Sequence, residues 1–195
     1  MERGFANKIM KRSALFHLCQ HHGANFMEHH GWTLPAFFQP PETEAKGARA
    51  GVGVADISYR AKFEGRTRPD RNGWFLGADH YLTIGDPPLD APPGATDVTS
   101  VYANLLLAGA RSKDLLAKLT SLRLSADALP NGSCAQASVA HAHAIVLRED
   151  LAQTPAYHVL ISREFAESVW ESIGHAGHEY ELCLLGLQAL ELLKA

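Results

Sequence analysis

Apolar positions first recur at helical spacing in Leu15, Leu18 and Cys19, with His22 on the same face and Ser13 placed to cap the start. Gly23 follows where a helix end needs a left-handed residue. An extended piece with Gly31, Trp32 and Pro35 comes next, then a second helix over 42–50 closed by Gly51. Val52, Val54, Asp56 and Ser58 alternate as in a strand. A polar, turn-rich stretch at 65–73 separates this from strand-like runs in Trp74, Phe75 and Leu76 and in Tyr81, Leu82 and Ile84. Residues 86–96 hold four of the ten prolines, which neither a helix nor a central strand tolerates, so 86–97 is expected to be a linker.

Beyond the linker the pattern is more regular. Val101, Ala103, Leu105 and Leu107 define a strand over 98–108, and Leu115, Leu116, Leu119 and Leu122 a helix over 112–122. Strands are predicted at 138–147 and 157–161. A helix capped by Ser162 then carries the stripe Phe165, Val169, Trp170 and Ile173, and Gly177 is expected to stop it. A strand over 180–183 and a Leu-rich helix over 184–193 end the chain. The order β-α-β-β-α-β predicts a ferredoxin-like sheet with both helices on one face. The fold class is α+β, with an arm over 1–12, an N-terminal segment over 13–85, the linker over 86–97 and a ferredoxin-like domain over 98–195.

Strand parity gives the first candidate site. In 138–147, Ala140, Ala142, Ala144 and Val146 share the face on which small side chains let helices approach. His141 and His143 then fall on the open face with Val139 and Ile145, joined by Ser100, Tyr102 and Asn104 from the first strand and His158 from the third. Such a face is too apolar for solvent and too polar for a core. It serves as packing for residues 13–84, as contact surface for a partner (Tyr102, Asn104, His141, His143 and His158) or as part of a ligand pocket.

Composition narrows the possibilities. The 195 residues are 46% hydrophobic and 20% charged with a formal charge of −3, which suits a soluble globular protein and gives no long-range attraction for nucleic acid. No apolar run approaches the ~20 residues that span a bilayer. Residues 1–12 lack the apolar core of a signal peptide. Cys19, Cys134 and Cys183 are odd in number and widely spaced, so they read as small buried apolar groups in a reduced, cytoplasmic setting. Among the eleven histidines, His17 and His21 share a helical face and His22, Glu28, His29 and His30 lie near, yet nothing fixes a third ligand, and no metal is expected. Gly51-Val52-Gly53 precedes a strand instead of opening a helix, so it is not a phosphate loop.

Several short pieces in register resemble the aminomethyltransferase (glycine-cleavage T-protein) family. They are Gly23-Ala24, Gly31-Trp32 with Pro35, Arg49 with Gly51, Asp56-Ile57-Ser58, and Gly109-Ala110-Arg111-Ser112 with the helix after it. The resemblance implies a ring of three domains around tetrahydrofolate, of which this chain would supply two. It further implies that Asp56 orders the turn after its strand instead of acting as an acid, and it implies a catalytic aspartate in an Asn-x-x-Gly-x-x-x-Asp-Asp loop and a pterin-binding glutamate in a Tyr-Thr-Gly-Glu-x-Gly loop. The first loop is replaced by 65–74, where Asp70 and Asn72 lack the spacing. The second is replaced by 147–158, which has no glycine and places His158 after the aromatic residue.

The C-terminal half is similar to the γ subunit of heterotetrameric sarcosine oxidase and related N-methyl amino-acid dehydrogenases. The residues concerned are 98–103 (Val-Thr-Ser-Val-Tyr-Ala), 132–136 (Gly-Ser-Cys-Ala-Gln), 157–163 (Tyr-His-Val-Leu-Ile-Ser-Arg), 167–170 and 186–190. That likeness implies a non-catalytic small subunit, with FAD or FMN and tetrahydrofolate held by larger flavoprotein subunits. The alternative is a stand-alone tetrahydrofolate-binding protein or folate-dependent transferase, for which Trp74, Tyr81 and Tyr102 are the candidates to stack on a pterin.

Overall fold

The computed structural model describes residues 10–69 and 73–195. The expected arm over 1–12 lies mostly outside them, as do Asp70 and Asn72. Its last residues form β1 (Lys11–Arg12), which pairs in parallel with Trp32 and Thr33. The first helix, α1 (Phe16–His21), ends as its spacing predicts, with Gly23 at φ +80. β2 (Asn25–His29) and β3 (Trp32–Phe37) form a hairpin turned at His30 and Gly31, both of positive φ. α2 (Pro41–Ala50) follows, opened by a proline that needs no amide partner in the first turn.

β4 (Gly53–Asp56) and β5 (Ala61–Gly65) come next, then the hairpin of β6 (Gly73–Gly77) and β7 (His80–Gly85). The proline-rich stretch carries the chain onward and ends in β8 (Thr96–Asp97), paired with β5. The C-terminal half runs β9 (Tyr102–Ala108), α3 (Ser112–Leu119), β10 (Cys134–Val139), β11 (Ala142–Arg148), β12 (Ala156–Ser162), α4 (Ala166–Gly177), β13 (Cys183–Leu184) and α5 (Leu187–Lys194).

Among the described residues three sheets result, in the orders β1-β3-β2, β6-β7-β5-β8 and β10-β11-β12-β9-β4-β13. In the last of these the C-terminal half runs β-α-β-β-β-α-β, one strand more than the expected order, and β4, from the N-terminal half, is inserted between β9 and β13. β4 runs antiparallel to β9, and β13 runs parallel to β4. The two halves of the chain therefore share one sheet and its core. Leu15, Cys19, Val52 and Val54 join Leu105, Leu107, Leu115, Leu116, Val146, Val159, Val169, Trp170 and Ile173 on the helix-covered face.

Three local expectations change. Residues 138–147 are not one strand but a hairpin, turned at Ala140 (φ 47) and His141 (φ 68). The turn inverts parity, so Val139 joins the helix-side core. Gly177 does not stop α4, which runs on as a 3-10 turn to Tyr180 before Glu181 turns left-handed at φ 53. Gly177 is instead a contact point, where a Cβ would come within 2.7 Å of Leu182 and 2.9 Å of Leu115. Phe165 lies outside the buried stripe and is 44% exposed.

Candidate functional site

The face of the large sheet away from α3 and α4 is covered in two patches. Leu106, Ala108 and Ala156 lie under α2, α5 and β3, with Trp32, Leu34, Ala45 and Leu190. Ile145, Leu147 and Leu160 lie under the β6–β7 hairpin, with Trp74, Leu82 and Ile84. Between the patches, alternation leaves one position on each central strand: Asn104 on β9 and His158 on β12. Both are buried, at 0% and 1% exposure. A polar seam thus separates two apolar cores, and its groups must be satisfied within the chain.

Most are satisfied in series, while Asn104 Oδ1 and Asp56 Oδ2 are buried without a hydrogen-bond partner among the described residues. Ser58 donates its amide (3.0 Å) and hydroxyl (2.6 Å) to Asp56 Oδ1, and its hydroxyl accepts the Asn104 amide at 3.1 Å. The Asp56 carboxylate orders this turn. Asn104 Nδ2 lies 3.3 Å from His158 Nδ1, so that nitrogen accepts and the ring proton sits on Nε2, 3.0 Å from Glu149 Oε2. Arg60 donates from one terminal nitrogen to the same oxygen at 2.9 Å, while its Nε sits 3.4 Å from Asp86 Oδ1. Tyr59 donates its hydroxyl to Asp86 at 3.0 Å. Burial pushes the His158 pKa down, so its imidazole is neutral. The Glu149 carboxyl is pulled down to about 2, chiefly by the His158 hydrogen bond and then by Arg60.

Below the seam lies Lys62, which has no exposed surface. Its ammonium donates to the carbonyls of Ser58 (2.9 Å), Arg60 (2.8 Å) and Thr99 (3.3 Å). Desolvation lowers its pKa to about 7 despite the pull of Asp56. The side chains of the seam are thus engaged with one another. Ser58 is hydrogen-bonded to a carboxylate and an amide, not to an imidazole, and His158 has both ring nitrogens committed. The arrangement can recognise hydrogen-bonding groups but contains no nucleophile paired with a base.

Beside the seam opens a cavity of about 290 Å³, lined by Ile57, Tyr59, Arg60, Asp86, Glu149 and His158, with Leu190 and Lys194 of α5 as part of its wall. The rings of His29 and His30 pack on Tyr59 at 4.6 and 6.0 Å. None of the three aromatic candidates lines this cavity. Trp74 is buried on the inner face of the β6–β7 hairpin against the large sheet, Tyr102 is half-buried with its hydroxyl donated to Glu64 at 2.8 Å, and Tyr81 packs on Phe75.

Of the partner-contact candidates, only His141 and His143 are exposed. Tyr102 is half-buried, and Asn104 and His158 are covered by the chain's own residues and offer a partner no surface. His141 belongs to a hairpin turn instead of the sheet face. Sequence reading missed Tyr59, Arg60, Lys62, Asp86 and Glu149. The one available signal was a cluster of charged residues just after strands. Among the described residues no three His, Cys, Asp or Glu side chains converge as a metal site.

The fold is that of the aminomethyltransferases: the crystal structure of the glycine cleavage system aminomethyltransferase T from Bartonella henselae matches 95% of this chain and 62% of its own, with a TM-score of 0.72 at 15% identity. A chain of the heterotetrameric sarcosine oxidase from Corynebacterium sp. U-96 matches 89% of this chain and 97% of its own, with a TM-score of 0.62 at 15% identity. The chain belongs to the family of the GCVT N-terminal domain, whose model matches residues 87–195. Aminomethyltransferases of Halothermothrix orenii and a Geobacillus species are 24% and 23% identical over 95% of this chain. The chain spans 64% of the length of each, just under two thirds.

Proposed function

We propose that this protein is a small, non-catalytic subunit of a flavin- and folate-dependent oxidoreductase complex that demethylates an N-methylated amino acid or amine. Its flavin and tetrahydrofolate are carried by larger flavoprotein subunits. The observation that carries this reading is one of extent. The chain accounts for nearly all of one chain of a heterotetrameric sarcosine oxidase, at 97%, and for only 62–64% of the aminomethyltransferases. The seam supports it too. Where the family resemblance asks for a pterin-binding glutamate, this chain places His158, a buried imidazole committed to Asn104 and Glu149. The cavity beside it, at about 290 Å³, lies at the lower edge of the roughly 300–1,000 Å³ typical of ligand pockets.

Purification from the native cell through a tag on this chain is expected to recover flavin-containing subunits, while the isolated chain shows no flavin absorbance and no demethylation. Recovery of no flavoprotein overturns the reading. A second reading, a tetrahydrofolate-binding protein acting alone, draws on the cavity's Tyr59, Arg60 and Asp86. Calorimetric titration of the isolated chain separates the two. Micromolar tetrahydrofolate binding favours the second, and no heat of binding favours the first.

A further inference from the structure

The large sheet has two edges, and they are treated differently. At β10 the neighbouring hairpin is tied on by side chains: Cys134 Sγ donates to the Phe75 carbonyl at 3.0 Å and Gln136 Nε2 to that of Leu76 at 2.9 Å. At β13 the other edge lies in a groove. The amides of Cys183 and Leu185 donate inward to Val52 and Val54 of the β4 segment, each at 2.9 Å. In an extended strand successive amides alternate in direction, so the N–H and C=O of Leu184 face away from β4.

Two clefts, of about 360 and 390 Å³, meet here and share His22, Leu182 and Leu184. The first is apolar, with Leu18, Val54 and Trp170 in its walls and Gly174 at its mouth. The second is more polar, reaching Gln39 and Thr43. Exposed His21, His22 and His175 and one carboxylate, Glu171, form the rim.

We infer that the β13 groove receives an extended segment of a partner subunit, which adds a strand to this sheet at Leu184. The segment places a bulky apolar side chain over Trp170 and acidic side chains against the histidine rim. The shape selects this occupant. β13 has only two residues, and the clefts beside it are walled by residues of α1, α2 and α4, which suits one extended chain better than the edge of a second copy's sheet. Backbone pairing at the open edge would provide affinity, and the apolar cleft with its imidazole rim would provide selectivity. The inference rests on the proposed membership of a hetero-oligomer and names the surface that serves it.

The test compares the complex purified through this chain with the isolated chain. Amide exchange at Leu184 is expected to slow by about tenfold or more in the complex. A Gly174→Arg variant is expected to lose about tenfold or more in affinity for the partner. A Cβ at Gly174 meets nothing within 4 Å, so this variant fills the cleft without disturbing the fold. Gln188→Arg, on the exposed side of α5, serves as the control and keeps the partner. Unchanged exchange at Leu184, or full partner recovery by Gly174→Arg, overturns the groove inference and leaves the proposed function standing. Slowing in the isolated chain as its concentration rises makes the occupant a second copy and overturns the inference. A wild-type chain that recovers no flavoprotein overturns both.

Discussion

An ammonium enclosed by three carbonyls, as at Lys62, is a stability term that pH controls. With its pKa lowered to about 7 from the usual 10.5, the folded chain lacks a proton that the unfolded chain holds between those values. Stability therefore rises with pH across that window and is lower below it, by an amount on the order of 5 kcal/mol for the complete shift. Urea titrations at pH 7 and pH 9 are expected to show the increase, and Lys62→Met is expected to remove the pH dependence while costing stability through three stranded carbonyls. On the acid side the seam gives two stages. Buried His158 stays neutral while the unfolded imidazole protonates, so stability falls as pH drops below about 6.5. Glu149 contributes stability above pH 4.5 that is lost as pH falls toward about 2. His158→Gln is expected to abolish the first stage and Glu149→Gln the second, read from midpoints of chemical unfolding across the pH range.

Elements here are joined by single side chains as much as by apolar packing. Glu44 of α2 is 2% exposed and accepts the amides of Phe38 at 2.5 Å, Gln39 at 2.7 Å and Gly186 at 2.8 Å. One carboxylate thus ties α2 to the end of β3 and the start of α5. Glu44→Ala removes the acceptor of three amides, that of Gly186 being buried, and is expected to cost about 2–4 kcal/mol, measured by denaturant unfolding. Helices and strands of this kind were legible where periodicity was unbroken, as in α3, α4, β9 and β12, and at Gly23. The β10–β11 turn was not, because Ala140 and His141 carry no turn chemistry of the Asn-Gly type. His158 could be placed on its sheet face, but its partners could not be named. Glu149 meets it across the β11–β12 pair, and Arg60, itself beside Asp86, arrives from a segment distant in sequence. Alternation along one strand says nothing of what lies across from it.

For the molecule as a whole, the decisive contact is the insertion of β4 between β9 and β13, with Leu15, Cys19, Val52 and Val54 completing the helix-side core. Residues 98–195 alone would carry an unfilled gap beside β9 and an uncovered seam at Asn104 and His158. That fragment is expected to lack a cooperative thermal transition, and adding a fragment covering 10–97 in trans is expected to restore one, followed by circular dichroism and calorimetry. Among the described residues no helix is long and apolar enough to cross a membrane.

The placement of β4 also bears on how the protein is made. A ribosome releases residues 53–56 long before the strands that will flank them have been synthesised. Until β9 and β13 emerge, that strand has both backbone edges bare, and its fully buried side chains face water. The nascent chain therefore passes through an interval in which it is prone to stick to its neighbours, and its yield in the cell depends on what shelters those four residues during translation.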